Sequence, residues 1–203
     1  MMIFIKDGLP CLVTSQDSEA YLSSGTLEID DDSRDYFTEL QQEQNHTGQP
    51  LFLRMAADEV IPIENAHDLL RQYGNFFFAS LWTHPEYRFA FFQMESLPDY
   101  CLIEPLAKPV ENWLLETLRC VPAEDSVLQT IDHSLVPGFS RAGYDCLEKL
   151  SLDEQEVAFC QQVATESGRL ELLSTALEMN PTELAHIVFR LQSLKIIDLW
   201  PAD

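Results

Sequence analysis

The sequence predicts an α+β protein, in which an N-terminal mixed or antiparallel sheet with helices is followed by a C-terminal three-helix, winged-helix-like unit. Three observations support this fold class: a turn signal between two short apolar runs, aromatic-rich runs in the middle of the chain, and two capping boxes near its end. The chain has 203 residues, of which 46% are apolar, so it can bury a sizeable core. We predict domains at residues 1–136 and 144–203, joined by a linker at 137–143.

The first predicted element is a β-hairpin formed by residues 2–6 and 9–13. Asp7 and Gly8 lie between the two runs, and this dipeptide readily adopts the positive φ angles of a tight hairpin turn. Pro10 has no backbone N–H to donate, so the second strand is expected at a sheet edge.

Residues 30–46 are polar and acidic, and they predict a loop that leads into a helix. Short strands are predicted on either side, at residues 25–29 and 51–55. The helical part is indicated by apolar side chains three and four residues apart, at Tyr36, Phe37 and Leu40.

The middle of the chain predicts a short helix and then an aromatic hairpin. Residues 64–73 have apolar side chains on one helical face, and Gly74 is expected to end the helix. Residues 75–82 and 87–94 are predicted strands, joined by the turn-forming residues 83–86. We expect this hairpin to be core rather than a binding face, because so much apolar area is rarely exposed. Its phenylalanines are Phe76, Phe77, Phe78, Phe89, Phe91 and Phe92.

The second half of the chain is predicted to be mostly helical. Residues 109–121 form an amphipathic helix with Pro109 at its first position, and residues 123–131 form a shorter one. Farther on, Ser151 and Glu154 have the spacing of a capping box, which predicts a helix to about Ala164.

The last segment adds two helices and a strand. Residues 169–179 form the second helix of the tail after a turn that ends at Gly168. Asn180 and Glu183 form another predicted capping box, with Pro181 between them at the first helical position. Residues 196–200 are a short strand, which completes the winged-helix-like pattern.

The charge of the chain limits the kinds of partner it can have. There are 34 acidic and 12 basic residues, a net charge of −22. Nucleic-acid binding depends on Lys and Arg that neutralise phosphates, so the helix-turn-helix shape of the tail is not expected to bind DNA. The acidic excess likewise disfavours anionic membranes and favours a protein partner with a basic surface. No apolar run is long enough to span a bilayer and no signal peptide is apparent, so a cytoplasmic location is expected.

Motifs for catalysis and metal binding all lack essential residues. Asp30, Asp31, Asp32 and Asp35 resemble a calcium loop, but the required Gly and Glu positions hold Asp35 and Gln41. Ser140 lies in a sequence similar to a nucleophile elbow whose last glycine is Ala142. The five cysteines form no C-x-x-C pair. We therefore expect no catalytic residue, no metal and no cofactor.

Four short motifs resemble the bacterial PATAN domain. They are Gly25-Thr-Leu-Glu-Ile, Ala66-His-Asp-Leu-Leu70, Gly74-Asn-Phe-Phe-Phe78, and Val110-Glu-Asn-Trp-Leu-Leu-Glu116 with Arg119. They are similar, in order, to the family's "tG-x-L" strand, "a-x-x-LL" helix, "G-x-F-x-F" strand and "LLLE-x-x-R" helix. The resemblance covers about half of the chain, and it implies a role in protein interaction within bacterial signalling rather than catalysis.

The function predicted from these observations is that of a non-catalytic regulatory module that docks a protein partner through an acidic surface. Asp30, Asp31, Asp32 and Asp35 are the candidate steering residues, and Trp200 is the candidate apolar anchor. Two alternatives stay open: a transcription regulator that binds DNA through its helix-turn-helix, and an enzyme whose active site is dispersed along the chain.

Overall fold

The computed structural model describes residues 1–15, 34–84, 86, 88, 90–101, 110–166 and 168–202. The protein is α+β, as predicted, with helices and two small antiparallel sheets in this part of the chain. The chain divides into two compact units, residues 1–81 with 86–107 and residues 82–85 with 108–203.

The predicted N-terminal hairpin is confirmed. Strand β1 (Met2–Lys6) pairs antiparallel with β2 (Leu9–Thr14), and the register shifts by a bulge at Phe4/Ile5. Asp7 and Gly8 have φ angles of 52° and 80°, the left-handed values that a tight turn between strands requires.

The strand predicted at residues 51–55 is wrong, because this segment is helical. Helix α1 (Arg34–Thr47) is followed by α2 (Leu51–Ala57). Gln44, buried in α1, accepts a hydrogen bond from the Leu51 backbone N–H and donates one to the Ser15 carbonyl, at 3.0 and 2.7 Å. A distant side chain thus satisfies a free donor at the start of α2. The strand predicted at residues 25–29 lies outside the described residues.

The short helix predicted at residues 64–73 is much longer than expected. Helix α3 (Ile63–Thr83) continues through Gly74, which is buried within it. A Cβ at Gly74 would lie 3.0 Å from the Val13 carbonyl oxygen. The glycine therefore lets the helix and strand β2 approach closely, and it does not end the helix.

The predicted aromatic hairpin is wrong for the same reason. Residues 75–82 belong to α3, and the described residues 88 and 90–94 are neither helix nor strand. Phe91 and Phe92 are exposed and Phe77 only flanks the core. The first unit instead buries side chains from the hairpin, from α1 to α3 and from a 3₁₀ turn at Asp99–Cys101. These are Phe4, Leu12, Phe37, Leu40, Leu51, Phe52, Leu53, Met55, Ala66, Leu70, Tyr73 and Cys101.

The second unit begins with the two predicted helices. They are α4 (Val110–Arg119) and α5 (Ser126–Gln129), the latter capped by Asp125. The linker predicted at 137–143 is wrong, because β3 (Val136–Phe139) pairs with β4 (Ile197–Trp200) and α6 (Gly143–Leu147) follows. The predicted domain boundary consequently falls inside the second unit.

The winged-helix-like order of the tail is confirmed. Helices α7 (Glu154–Thr165), α8 (Leu170–Ala176) and α9 (Pro181–Ser193) precede β4. The Asn180–Glu183 capping box is present with Pro181 at the start of α9. The first box, however, is formed by Asp153 and Glu156 rather than by the predicted Ser151 and Glu154.

The second unit has its own core around α7, α8, α9 and β4. The inward face of α7 carries Phe159 and Cys160, whereas Val157 is exposed. The buried residues of this core are Phe159, Cys160, Leu170, Leu173, Met179, Leu184, Ile187, Val188, Leu191, Ile196 and Ile197.

None of the helices within the described residues is long and apolar enough to cross a membrane.

Candidate functional site

The most exposed aromatic side chains described in the first unit are two consecutive phenylalanines. Phe91 and Phe92 are 90% and 84% exposed, and Met94 nearby is 51% exposed. We call residues 90–96 the aromatic segment. An adjacent, fully exposed pair of this kind is costly in water unless another molecule covers it.

The aromatic segment is attached to the first unit at its C-terminal side. Leu97 packs against the core, and Cys101 belongs to it with 1% exposure. The Cys101 backbone N–H donates to the Pro98 carbonyl at 2.8 Å, which closes the 3₁₀ turn. The two phenylalanines are thus presented from a segment that is held at one end.

Acidic side chains surround the aromatic segment in sequence. Glu86, Glu95 and Asp99 are exposed, with Arg88 as the one described base among residues 86–99. The side chains next to the phenylalanines therefore have the same sign of charge as the whole chain. Such a composition matches an apolar pocket with a basic rim.

The predicted steering residues are only partly described. Asp30, Asp31 and Asp32 lie outside the described residues. Asp35 is exposed in the first turn of α1, where its charge also stabilises the helix dipole. Asp35 and Trp200 belong to different units.

Trp200, the predicted anchor, is a surface residue at the end of β4. It is 58% exposed, and its Nε1 lies 3.6 Å from the position that a Cβ on Gly138 would occupy. One part of the indole therefore covers the neighbouring strand β3, while the rest faces solvent. This exposure is compatible with the predicted anchoring role.

A buried ion-pair network connects three helices of the second unit. The Glu156 side chain in α7 is fully buried, and it accepts from Arg119 Nε of α4 at 3.2 Å and Arg190 Nη1 of α9 at 3.0 Å. It also accepts from the Asp153 backbone N–H at 3.0 Å. Burial alone would raise the pKa of Glu156, but the hydrogen bonds and the two guanidinium groups lower it.

This network changes the interpretation of the helix-turn-helix. Arg190 is the basic residue of α9, and helical spacing along α9 predicts an exposed face formed by Glu183, His186, Arg190 and Gln192. Instead its side chain is 16% exposed and pairs with Glu156. A base that neutralises a buried carboxylate has less charge to offer to a phosphate.

His186 lies one turn before Arg190 on the same helix. Its Nδ1, like Arg190 Nε, is buried and has no hydrogen-bond partner within the part of the chain that is described. Burial and the charge of Arg190 lower the pKa of His186. The imidazole is therefore held neutral at physiological pH.

The buried thiols are poorly suited to nucleophilic chemistry. Burial, with a contribution from Cys11, raises the pKa of Cys101 to about 12. Burial, with Glu156 nearby, raises the pKa of Cys160 to about 11. Since the thiolate is the nucleophile and the metal ligand, these residues act as small apolar side chains. All five cysteines are free.

Ser140 lies in a turn between a strand and a helix, as the serine of a nucleophile elbow does. Strand β3 precedes it and α6 follows, which the sequence did not reveal. Its Oγ, however, donates to the Lys195 carbonyl and accepts from the Gly143 N–H at 2.9 Å. The hydroxyl is used to hold this turn against the end of α9.

In the described residues, no group of three or more His, Cys, Asp or Glu could hold a metal ion.

The exposure of Phe91 and Phe92 differs from the sequence prediction, which placed both residues in a core hairpin. The sequence does contain one indication that these two phenylalanines are not both buried in a strand. Consecutive side chains of a strand point to opposite faces, so a Phe-Phe pair needs cover on both sides.

No protein-family model, curated protein or solved structure matches the chain significantly.

Proposed function

We propose that this protein is a non-catalytic, cytoplasmic regulatory module of bacteria that docks a protein partner through its aromatic segment. The observation that supports this most is the near-complete exposure of Phe91 and Phe92 beside acidic side chains. The resemblance to the PATAN domain implies the same class of role.

Aromatic side chains supply much of the affinity at protein interfaces. A few buried anchors usually dominate the binding free energy, and the surrounding contacts exclude water. Phe91 and Phe92 have the properties of such anchors, since nearly all of their apolar surface is free to be covered. Trp200, on the other unit, is a separate candidate anchor that is less exposed, at 58%.

The partner is a protein with a basic rim around an apolar pocket. The net charge of −22 attracts such a surface at a distance and repels nucleic acid. Arg190, which the DNA-binding alternative would need, is paired with Glu156. Binding of labelled duplex DNA in the micromolar range, weakening steeply with salt, would favour that alternative instead.

The test compares the double variant Phe91→Ser, Phe92→Ser with the matched control Leu172→Ser. Leu172 is a 62% exposed apolar residue of α8, so both variants remove surface apolar area without touching a core. Each is immobilised and used to capture partners from the native host, and the captured protein is then purified for titration.

We expect wild type and the control to capture the same partner and the double variant to lose it. With purified partner, the Kd should rise by about tenfold or more, as loss of interface anchors predicts. Equal melting temperatures of all three proteins verify that folding is unaffected. A partner that binds the double variant as tightly as wild type would show that the aromatic segment is not the docking site.

A further inference from the structure

The second unit contains a partly open cavity of about 200 Å³. It is formed by separate segments: the N-terminal half of α4, the end of α9 with the residues that follow it, and α6 with Leu150. Trp82 supplies a further wall. The lining residues are Trp82, Glu111, Leu114, Cys146, Leu150, Ser193, Leu194 and Ile196.

Hydrogen bonds behind the cavity hold its aromatic wall in place. The Trp82 indole N–H donates to Thr117 Oγ1 at 3.0 Å. Thr117, which is fully buried, donates in turn to the Leu114 carbonyl at 2.7 Å. The Trp82 indole is therefore held against α4. A ligand would meet a preformed surface, which lowers the entropic cost of binding.

Glu111 is the charged residue among the cavity walls. It lies one turn before Leu114 on α4 and is half-buried. Within the described ranges its carboxylate forms no ion pair and no hydrogen bond. A cavity lined by a glutamate, an indole ring and apolar side chains has the composition that stabilises an organic cation, through charge and through contact with the ring.

We infer that this cavity binds a small organic amine, whose ammonium group pairs with Glu111 and whose hydrocarbon part packs against Trp82, Leu114 and Leu150. The volume limits the ligand to about one ring with a short chain, since a cavity of about 150 Å³ accommodates benzene. The carboxylate excludes an anion of the same shape. This inference is independent of the proposed docking function.

Three probes of nearly equal shape test the inference: phenethylamine, its neutral analogue 2-phenylethanol and its anionic analogue phenylacetate. Each is titrated at pH 7 into the full chain and followed by calorimetry and by ¹H–¹⁵N NMR shifts. We expect saturable binding of the amine, weaker binding of the alcohol and none of the acid. The NMR shifts should cluster at α4, α6 and the end of α9.

Glu111→Gln removes the charge and keeps the shape, while Glu148→Gln removes an exposed charge from the same unit as the matched control. We expect Glu111→Gln to raise the Kd for the amine about tenfold, the loss typical of a charged hydrogen bond. The Kd for the alcohol should not change. The control should bind all probes as wild type does.

Ser193→Phe, which places a ring in the cavity mouth, provides a second variant. It should abolish binding of amine and alcohol together while leaving the melting temperature close to that of wild type. Equal affinity for the amine and the alcohol, an equal effect of both glutamate variants, or no saturable binding of the amine would overturn the inference.

Discussion

Glu156 illustrates how a single residue links the elements of the second unit. Its carboxylate completes the capping box of α7, and it pairs with Arg119 of α4 and Arg190 of α9. Arg119 Nη2 also donates to the Ser151 carbonyl at 3.0 Å. A buried charge is tolerated only when its partners compensate the lost hydration, and here two cations do so.

We expect Glu156→Gln to destabilise the protein by about 3 kcal/mol, because it leaves two guanidinium groups without their buried counter-charge. Urea unfolding followed by circular dichroism measures the change, and the exposed Glu154→Gln provides the control. A loss as small as that of the control would show that the network contributes little to stability.

The difference in unfolding free energy between wild type and Glu156→Gln should depend on pH. The pKa of Glu156 is lower in the folded protein than its ordinary value of 4.5, so the folded state binds this proton less readily than the unfolded state. Its contribution is present above that value and is lost as pH falls through the folded pKa. Wild type should therefore lose its advantage over Glu156→Gln on acidification. A constant difference between pH 7 and pH 3 would contradict this assignment.

Gly143 is required for steric reasons at the start of α6. A Cβ at this position would overlap the carbonyl oxygen of Ile196. We expect Gly143→Ala to cost about 2 kcal/mol, as overpacking of a closed site does. Gly168→Ala is the matched control, since its added Cβ would have no atom within 4 Å among the described residues beyond its chain neighbours. Thermal unfolding compares them, and equal melting temperatures would show that the β4 side of the turn can move.

At the scale of elements, the sequence was most informative where local chemistry decides the structure. The tail has capping residues, prolines and regular apolar spacing, so α7, α8, α9 and β4 were predicted in order. Residues 51–55 and 75–82 have only short apolar runs, which do not distinguish a strand from a buried helix. The buried Gln44 and the close approach of Val13 to Gly74 decide those cases, and both depend on tertiary contacts.

The candidate sites were less predictable than the fold. Exposure of Trp200 followed from its place at the end of a short strand. Exposure of Phe91 and Phe92 did not, because the predicted hairpin placed them in a core. The cavity around Glu111 leaves no linear signal, since its walls come from segments far apart in the sequence.

The Asn180 cap of α9 provides a prediction for a single element. Its side chain accepts from the Glu183 N–H at 2.9 Å, and the Glu183 carboxylate accepts from the Asn180 N–H at 3.1 Å. Asn180→Ala should cost about 1 kcal/mol, the usual value of a lost N-cap. Asn180→Asp, which keeps the acceptor, should restore most of it. Chemical unfolding tests this, and equal stability of Asn180→Ala and wild type would show that α9 is held by packing alone.

At the scale of the whole molecule, the proposed docking has two physical contributions: charge, which attracts a partner, and apolar contact, which retains it. The net charge of −22 acts at a distance and affects association, whereas exposed aromatic side chains act on contact and affect dissociation. The two contributions can therefore be measured separately with one purified partner.

The charge contribution is tested by neutralising Asp30, Asp31 and Asp32 together to Asn. Fewer negative charges weaken long-range attraction, so the association rate constant should fall and its salt dependence should flatten. The dissociation rate constant should change little. An association rate constant that changes with neither the substitution nor the salt concentration would show that these aspartates do not steer the partner.

The proposal that Phe91 and Phe92 anchor a protein partner is best tested by the dissociation rate constant of the complex. It is measured by surface plasmon resonance for wild type, for Phe91→Ser with Phe92→Ser, and for Leu172→Ser. We expect dissociation to be about tenfold faster or more for the double variant alone, with its association rate nearly unchanged. A double variant that releases the partner as slowly as wild type and the Leu172→Ser control would show that Phe91 and Phe92 are not the anchors.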